Sequence, residues 1–290
     1  MNRITVKKQI MDILSVKENE IEDITVLLSG MSNAVYKVKY SGNTSVIRIP
    51  LKESHLFVDW KIEEEALNFI KDEDITPKYY VFNYQSGMKV LPFIDGVDLS
   101  CIDYEPHLPQ IVEILKKIHN KKGFFPYCFN FVANLKKFEN LLPQIDPTYF
   151  ELKSIWFDHY ENEFRDKNIV MCHCDAQRSN FILSDEGKLY IIDFEFSAAN
   201  SVYYDLASFG NNGIEDAEAL TKEYFKDTTE DIDLCIRKVK YYRMYQVLQW
   251  YLVASAKHNM KMDRTLKMDF EKIALDYLEA ATSLCADLEL

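Results

Sequence analysis

The sequence predicts an α+β protein of two lobes, a small antiparallel-sheet lobe with one helix followed by a larger, mainly helical lobe. Three observations carry this expectation. Alternating and β-branched runs crowd the first third of the chain, and helical periodicity fills most of the rest. Between them lies a short connector, Pro92-Phe93-Ile94-Asp95-Gly96. The expected division is residues 1–95 and 96–290, with a cleft between the lobes as the natural place for a small ligand.

Each element has a local reason. The runs ITVLL (24–28), AVYKVKY (34–40), SVIRI (45–49), KYYVF (78–82) and MKVLPF (88–93) alternate or are β-branched. Turn residues Ser29-Gly30, Ser41-Gly42-Asn43 and Gln85-Ser86-Gly87 separate several of them, which makes a meander. One helix interrupts it over 59–71, with apolar residues at Ile62, Ala66, Leu67, Phe69 and Ile70. Further helices are expected near 107–122, 131–142, 147–167, 214–226, 231–259 and 264–286, around a small β-rich insert at 170–193.

The chain is 48% hydrophobic with only 8 Gly and 8 Pro in 290 residues, which excludes a disordered chain. A net charge of −12 argues against nucleic acid and anionic lipid as partners. The apolar stretch near Trp250–Ala256 stops at Lys257, too short to span a bilayer. The N-terminal MNRITVKKQIMDIL has no apolar signal core, so a cytoplasmic location is expected. Six scattered cysteines without a framework read as reduced thiols.

The chemistry concentrates in His173-Cys174-Asp175-Ala176-Gln177-Arg178-Ser179-Asn180, followed by LYIIDFEF at 189–196. Phosphoryl transfer needs a base to orient a hydroxyl and oxygen ligands for Mg²⁺. A loop carboxylate, an amide five residues on and a second carboxylate at a strand end supply both. Cys172 and Cys174 flank His173, but one C-x-C and one His lack a second ligand pair, so packing is preferred over zinc.

The H-x-D-x-Q-x-x-N loop and the segment Ile192-Asp193-Phe194-Glu195-Phe196-Ser197 resemble the choline/ethanolamine kinase family, within the aminoglycoside-phosphotransferase and protein-kinase-like fold. The agreement in motif order runs from about residue 25 to residue 257. The resemblance implies ATP and Mg²⁺ as cofactors, with Asp175 as the catalytic base and Asn180 and Asp193 as metal ligands. Gln177 stands near the metal in this pattern. Glu195 is read either as reaching a second Mg²⁺ and the substrate side or as a solvated loop carboxylate.

On the nucleotide side, Leu28-Ser29-Gly30-Met31-Ser32-Asn33 is a hairpin turn in isolation. The resemblance makes it a phosphate loop using Ser32 and Asn33. Arg48 faces the cleft or solvent by strand alternation, and the resemblance gives it the α/β-phosphates. Glu63 lies on the apolar stripe with Leu67 and Ile70 and needs a counter-charge, which is expected to be Arg48. The connector, with Phe93 and Ile94, would bind adenine through its backbone.

The substrate side departs from the family. Cation–π capture of a quaternary ammonium calls for aromatic faces. Phe196 fits the first aromatic position. The family's W-x-x-W falls on Leu248 and Tyr251, with Trp250 one residue out of phase. Where the family has Glu seven residues after the Asp of Asp205-Leu206-Ala207, this chain has Asn212. Asp205 is expected to cap the next helix or tie down the catalytic loop. The expected partner is a small, cationic alcohol, choline first, with ethanolamine, another amino alcohol, an aminoglycoside or a sugar as alternatives. A nucleotide-binding protein without turnover is the remaining reading. Residues 1–95 carry 12 basic against 14 acidic side chains and residues 96–290 carry 22 against 32, so the acid sits with the expected metal and substrate side.

Overall fold

The computed structural model describes residues 3–27 and 33–290. The chain opens with α1 (Arg3–Leu14), then β1 (Ile21–Leu27), β2 (Asn33–Tyr40) and β3 (Asn43–Pro50). After α2 (Trp60–Ile70) come β4 (Val81–Asn83) and β5 (Met88–Pro92). The five strands form one antiparallel sheet in the order β1-β2-β3-β5-β4. Ser41 and Gly42 both have positive φ (47° and 75°), the two-residue hairpin geometry that suits right-handed strand twist.

Strand alternation decides what each face of this sheet does. Tyr36, Val38, Ile47 and Val90 bury one face against Ile10 of α1. Arg48 and Lys89, directly opposite one another across β3 and β5, go to the other face. That face is the cleft face, which resolves the orientation of Arg48. α1 lies outside the helices expected from the sequence, and the sheet face that buries Ile10 gives it a place to dock.

From Gly96 the chain joins a second sheet, β6-β8-β9, made of β6 (Gly96–Asp98), β8 (Phe181–Ser184) and β9 (Leu189–Ile191). A Cβ on Gly96 would sit 2.1 Å from the Leu183 carbonyl oxygen, so only glycine permits this approach. β7 (Ile169–Cys172) pairs antiparallel with β10 (Ala198–Ser201). The helices are α3 (Leu108–His119), α4 (Phe131–Glu139), α5 (Pro147–His159), α6 (Val202–Phe209) and α7 (Ile214–Phe225). They are followed by α8 (Ile232–Asn259), α9 (Asp263–Leu266) and α10 (Phe270–Asp287).

α8 is the axis of this half. Every residue from Tyr241 to Gln249 is buried, so its middle is wrapped by neighbours on every side rather than amphipathic. The helix expected over 147–167 ends instead at His159 and widens into a π turn over Tyr160–Phe164. Tyr160 there stacks on Trp156, so tertiary packing of the aromatics sets the end of the helix. α2 belongs to the large core through Ala66 and Ile70, and it lies against the 194–196 turn that follows β9. The whole is the two-lobed α+β fold of the kinase-like proteins.

Candidate active site

Asp175 lies in the loop after β7, and its position is dictated from the buried side. Asp205, inside α6, accepts hydrogen bonds from the backbone N–H groups of His173 (2.8 Å) and Cys174 (2.6 Å) and lies 3.0 Å from His119 Nε2. Ser201, not Asp205, caps α6. The role of Asp205 is therefore to tie the loop. Cys174 adopts φ 61°, a strained conformation for a side chain, which the two N–H bonds to Asp205 hold in place. The His173 ring receives the Asp175 N–H at Nδ1 (3.2 Å) and donates from Nε2 to the Ile192 carbonyl (2.9 Å), joining the Asp175 loop to the segment carrying Asp193. Burial lowers the His173 pKa, so the ring is neutral and this tautomer persists. Cys172 and Cys174 are buried and form no disulfide.

Asn180 donates from Nδ2 to both the Asp175 carbonyl (2.7 Å) and Oδ2 (2.9 Å), which leaves its amide oxygen for another group. Gln177 donates to the same carboxylate oxygen at 3.2 Å, while its own oxygen accepts from Asn211 (2.9 Å). Burial, and then the Asp193 charge, push the Asp175 carboxyl well above its ordinary range, against the pull of Asn180. A raised carboxyl pKa suits a base that must accept a proton from an alcohol.

Asp193 follows β9 with φ 74° and is gripped by Arg48 through two parallel hydrogen bonds of 2.6 and 2.7 Å. Burial works against ionisation of Asp193, but Arg48 and Lys89 together hold its carboxyl below the usual range. The expected Arg48–Glu63 pair does not form. Glu63 instead pairs with Lys89, both fully buried, and Lys89 Nζ also lies 3.7 Å from Asp193 and 3.6 Å from Glu195. Sequence reading passed over Lys89; the signal was a lone cation in an apolar strand, opposite Arg48 and in need of acids.

Glu195 is buried rather than solvated, and burial with the Asp193 charge pushes its pKa up to about 7. Oxygen atoms of Glu63, Asp193 and Glu195 lie within 4.8 Å of one another. Glu195 Oε2 and Glu63 Oε1 are buried without a hydrogen-bond partner, while Glu63 Oε2 is held in the ion pair with Lys89. An all-oxygen donor set with orphaned buried oxygens is what a hard divalent cation requires, so the residues present fit Mg²⁺.

A cavity of about 390 Å³ joins these groups. Asn33 and Arg48 line it from the sheet side, and Asp175, Asn180, Asp193 and Glu195 from below. The Asn33 amide oxygen is buried without a partner, whereas Ser32 falls outside the described residues. Phe93 and Ile94 are not brought to this cavity. The Phe93 N–H bonds to the Thr44 carbonyl (3.2 Å), and its ring lies under Lys37. At the far end, Phe196 and Trp250 meet edge to face at 5.9 Å. Tyr251 does not join them: it turns away toward Tyr149, and its hydroxyl accepts the Asp146 N–H. The helical register of α8 thus puts Trp250, not Tyr251, at the cleft. Lys257, one turn of α8 beyond Val253, lines the same wall, and burial lowers its pKa to about 8.

Known proteins resemble the chain in sequence and in fold. Protein LicA of Haemophilus influenzae is 24% identical over 279 residues, covering 90% of this chain and 79% of LicA. The crystal structure of choline kinase LicA from Streptococcus pneumoniae superposes with a TM-score of 0.81 at 24% identity, covering 98% of each chain. A structure of LicA in complex with AMP gives the same TM-score at 23% identity, covering 99% of this chain and all of that one. The family model for choline/ethanolamine kinase matches residues 24–218, and the chain accordingly belongs to the choline/ethanolamine kinase family, phosphotransferases with an alcohol group as acceptor.

Proposed function

We propose that the protein transfers the γ-phosphoryl group of ATP to the hydroxyl of choline or a closely related amino alcohol. The observation that carries this reading is the single cavity in which Asp175, Asn180 and Asp193 converge with the aromatic corner of Phe196 and Trp250. An aromatic face beside carboxylates favours a cationic head group, and a carboxylate at its edge favours a hydroxyl. The complex of a LicA relative with AMP supports an adenine nucleotide as the donor.

Asp175 orients the acceptor hydroxyl and takes its proton as the phosphoryl group transfers in line. Asn180 and Gln177 keep the reactive carboxylate in one rotamer. Asn180, Asp193 and Glu195 are the residues that would hold Mg²⁺, which when bound neutralises charge on the phosphates. Arg48, the cation on β3, is placed to follow phosphate oxygens, and Asn33 offers its side chain from the next strand.

Replacing Asp175→Ala should lower turnover by about 10²–10⁴-fold while nucleotide binding persists. Full turnover in that variant would remove Asp175 from the role of base. ATP consumption measured with choline, ethanolamine, amino sugars and aminoglycosides decides the acceptor. The reading predicts the highest kcat/KM for choline or ethanolamine; turnover confined to a sugar or aminoglycoside would overturn it.

A further inference from the structure

A second cavity, of about 680 Å³, lies on the other side of Asn211 from the catalytic groups. It is enclosed by the 210–214 loop, α8 and α10, and it shares Asn211, Ile273 and Tyr277 with the catalytic cavity. Its charged lining is mostly balanced. Lys240 pairs with Asp287 (2.7 Å) and Glu218 (3.1 Å), and Asp276 pairs with Lys272.

Arg243 is the exception. It is only 5% exposed, and among the described residues no carboxylate lies within ion-pair distance of it. Two of its five donors meet neutral amide oxygens, Asn211 Oδ1 at 3.1 Å and Gln246 Oε1 at 3.2 Å. A guanidinium taken out of water with only amide hydrogen-bond partners is poorly compensated, and burial lowers its pKa against the pull of the more distant Asp175 charge.

We propose that this cavity is a binding site for an anionic group, a carboxylate or phosphate on a small molecule, with Arg243 as its anchor. The site is also wired to the chemistry. Arg243 donates to Asn211, Asn211 to Gln177, and Gln177 to Asp175, each through the amide or carboxylate oxygen of the next residue. An anion on Arg243 therefore acts on the hydrogen-bond chain that positions the base. The proposal goes beyond the assignment of choline as acceptor and does not depend on it.

The test is direct binding to the full-length protein by calorimetry, with succinate and inorganic phosphate as probes at constant ionic strength. Saturable binding of at least one probe below about 10 mM is expected. Arg243→Met should weaken it by at least about 10-fold, and Lys188→Met, at a surface pair away from both cavities, should not. Ala280→Trp fills the cavity from α10 with the guanidinium intact, and it too should abolish binding; melting temperatures check that both variants fold. No saturable binding, or binding indifferent to Arg243→Met and Ala280→Trp, overturns the proposal and leaves Arg243 a structural tie between α8 and the 210–214 loop. Steady-state phosphotransfer then identifies the source. Succinate competing with the acceptor alcohol assigns the site to an anionic substituent of the acceptor itself. Succinate altering kcat at saturating acceptor assigns it to a separate ligand.

Discussion

At the scale of single residues, the site sets three cations, Arg48, Lys89 and Lys257, against four carboxylates where water is scarce. Arg48 and Lys89 are cross-strand neighbours, an arrangement that like charges would disfavour without acids to face. Glu63 supplies one from α2, and Asp193 and Glu195 supply two from the turn after β9. Removing Lys89 alone leaves Glu63 buried and unpaired, so Lys89→Met should cost about 3–5 kcal/mol in urea unfolding. Adding Glu63→Gln should return part of that loss, a coupling of roughly 0.5–3 kcal/mol; strict additivity would show that the pair does not interact. The contrast with Asp175 explains what was legible. Asp175, Gln177 and Asn180 sit in one short loop, so their relation is written in consecutive residues. Lys89 meets Glu63 only because β5 pairs with β3 and α2 lies over both, and no local pattern records that.

At the scale of elements, period and register decide which side chains reach the cleft. The meander and the long helix at 232–259 were readable because period-two and helical patterns are strong there. The rotation of α8 was not, since it is buried all round and offers no polar face to orient it. Trp250 thus came to the aromatic corner in place of Tyr251, the residue the W-x-x-W alignment selects. The same rotation carries Lys257 into the cleft wall, between the rings of Phe57 and Phe270. Its pKa of about 8 lies below the ordinary lysine value near 10.4. Between those two values the unfolded chain binds the extra proton, so stability rises with pH across that window. Below about pH 8 the penalty of the buried charge is present in full. Lys257→Met lacks this dependence. Denaturant unfolding at pH 7 and pH 10 should show the wild type gaining on the variant by on the order of 2 kcal/mol. A parallel pH profile for the two proteins would mean that Lys257 titrates normally.

At the scale of the whole molecule, the two lobes are joined across the cleft by the bond between Arg48 on β3 and Asp193 after β9. Under the proposed function each partner would also have a task in phosphoryl transfer, Arg48 toward phosphate and Asp193 toward the metal. Both carboxylate oxygens of Asp193 are engaged by Arg48, so nucleotide and Mg²⁺ together must exchange this contact for their own. The exchange would be favourable only as a set: Arg48 would turn to phosphate oxygens while Asp193 would be freed to hold the metal. Binding of either component alone should therefore stabilise the fold less than the sum expected from independent sites. With Mg²⁺ and a non-hydrolysable ATP analogue both near 100 times their dissociation constants, linkage gives about 2.7 kcal/mol for each independent ligand. Thermal melting with each ligand alone and with the pair should show a cooperative excess for the pair. Asp193→Asn keeps the side-chain shape but loses the charge that both Arg48 and the metal use. It should remove the Mg²⁺ increment and the excess while the nucleotide increment remains. An unchanged Mg²⁺ increment in Asp193→Asn would place the metal on Glu195 and Glu63 instead.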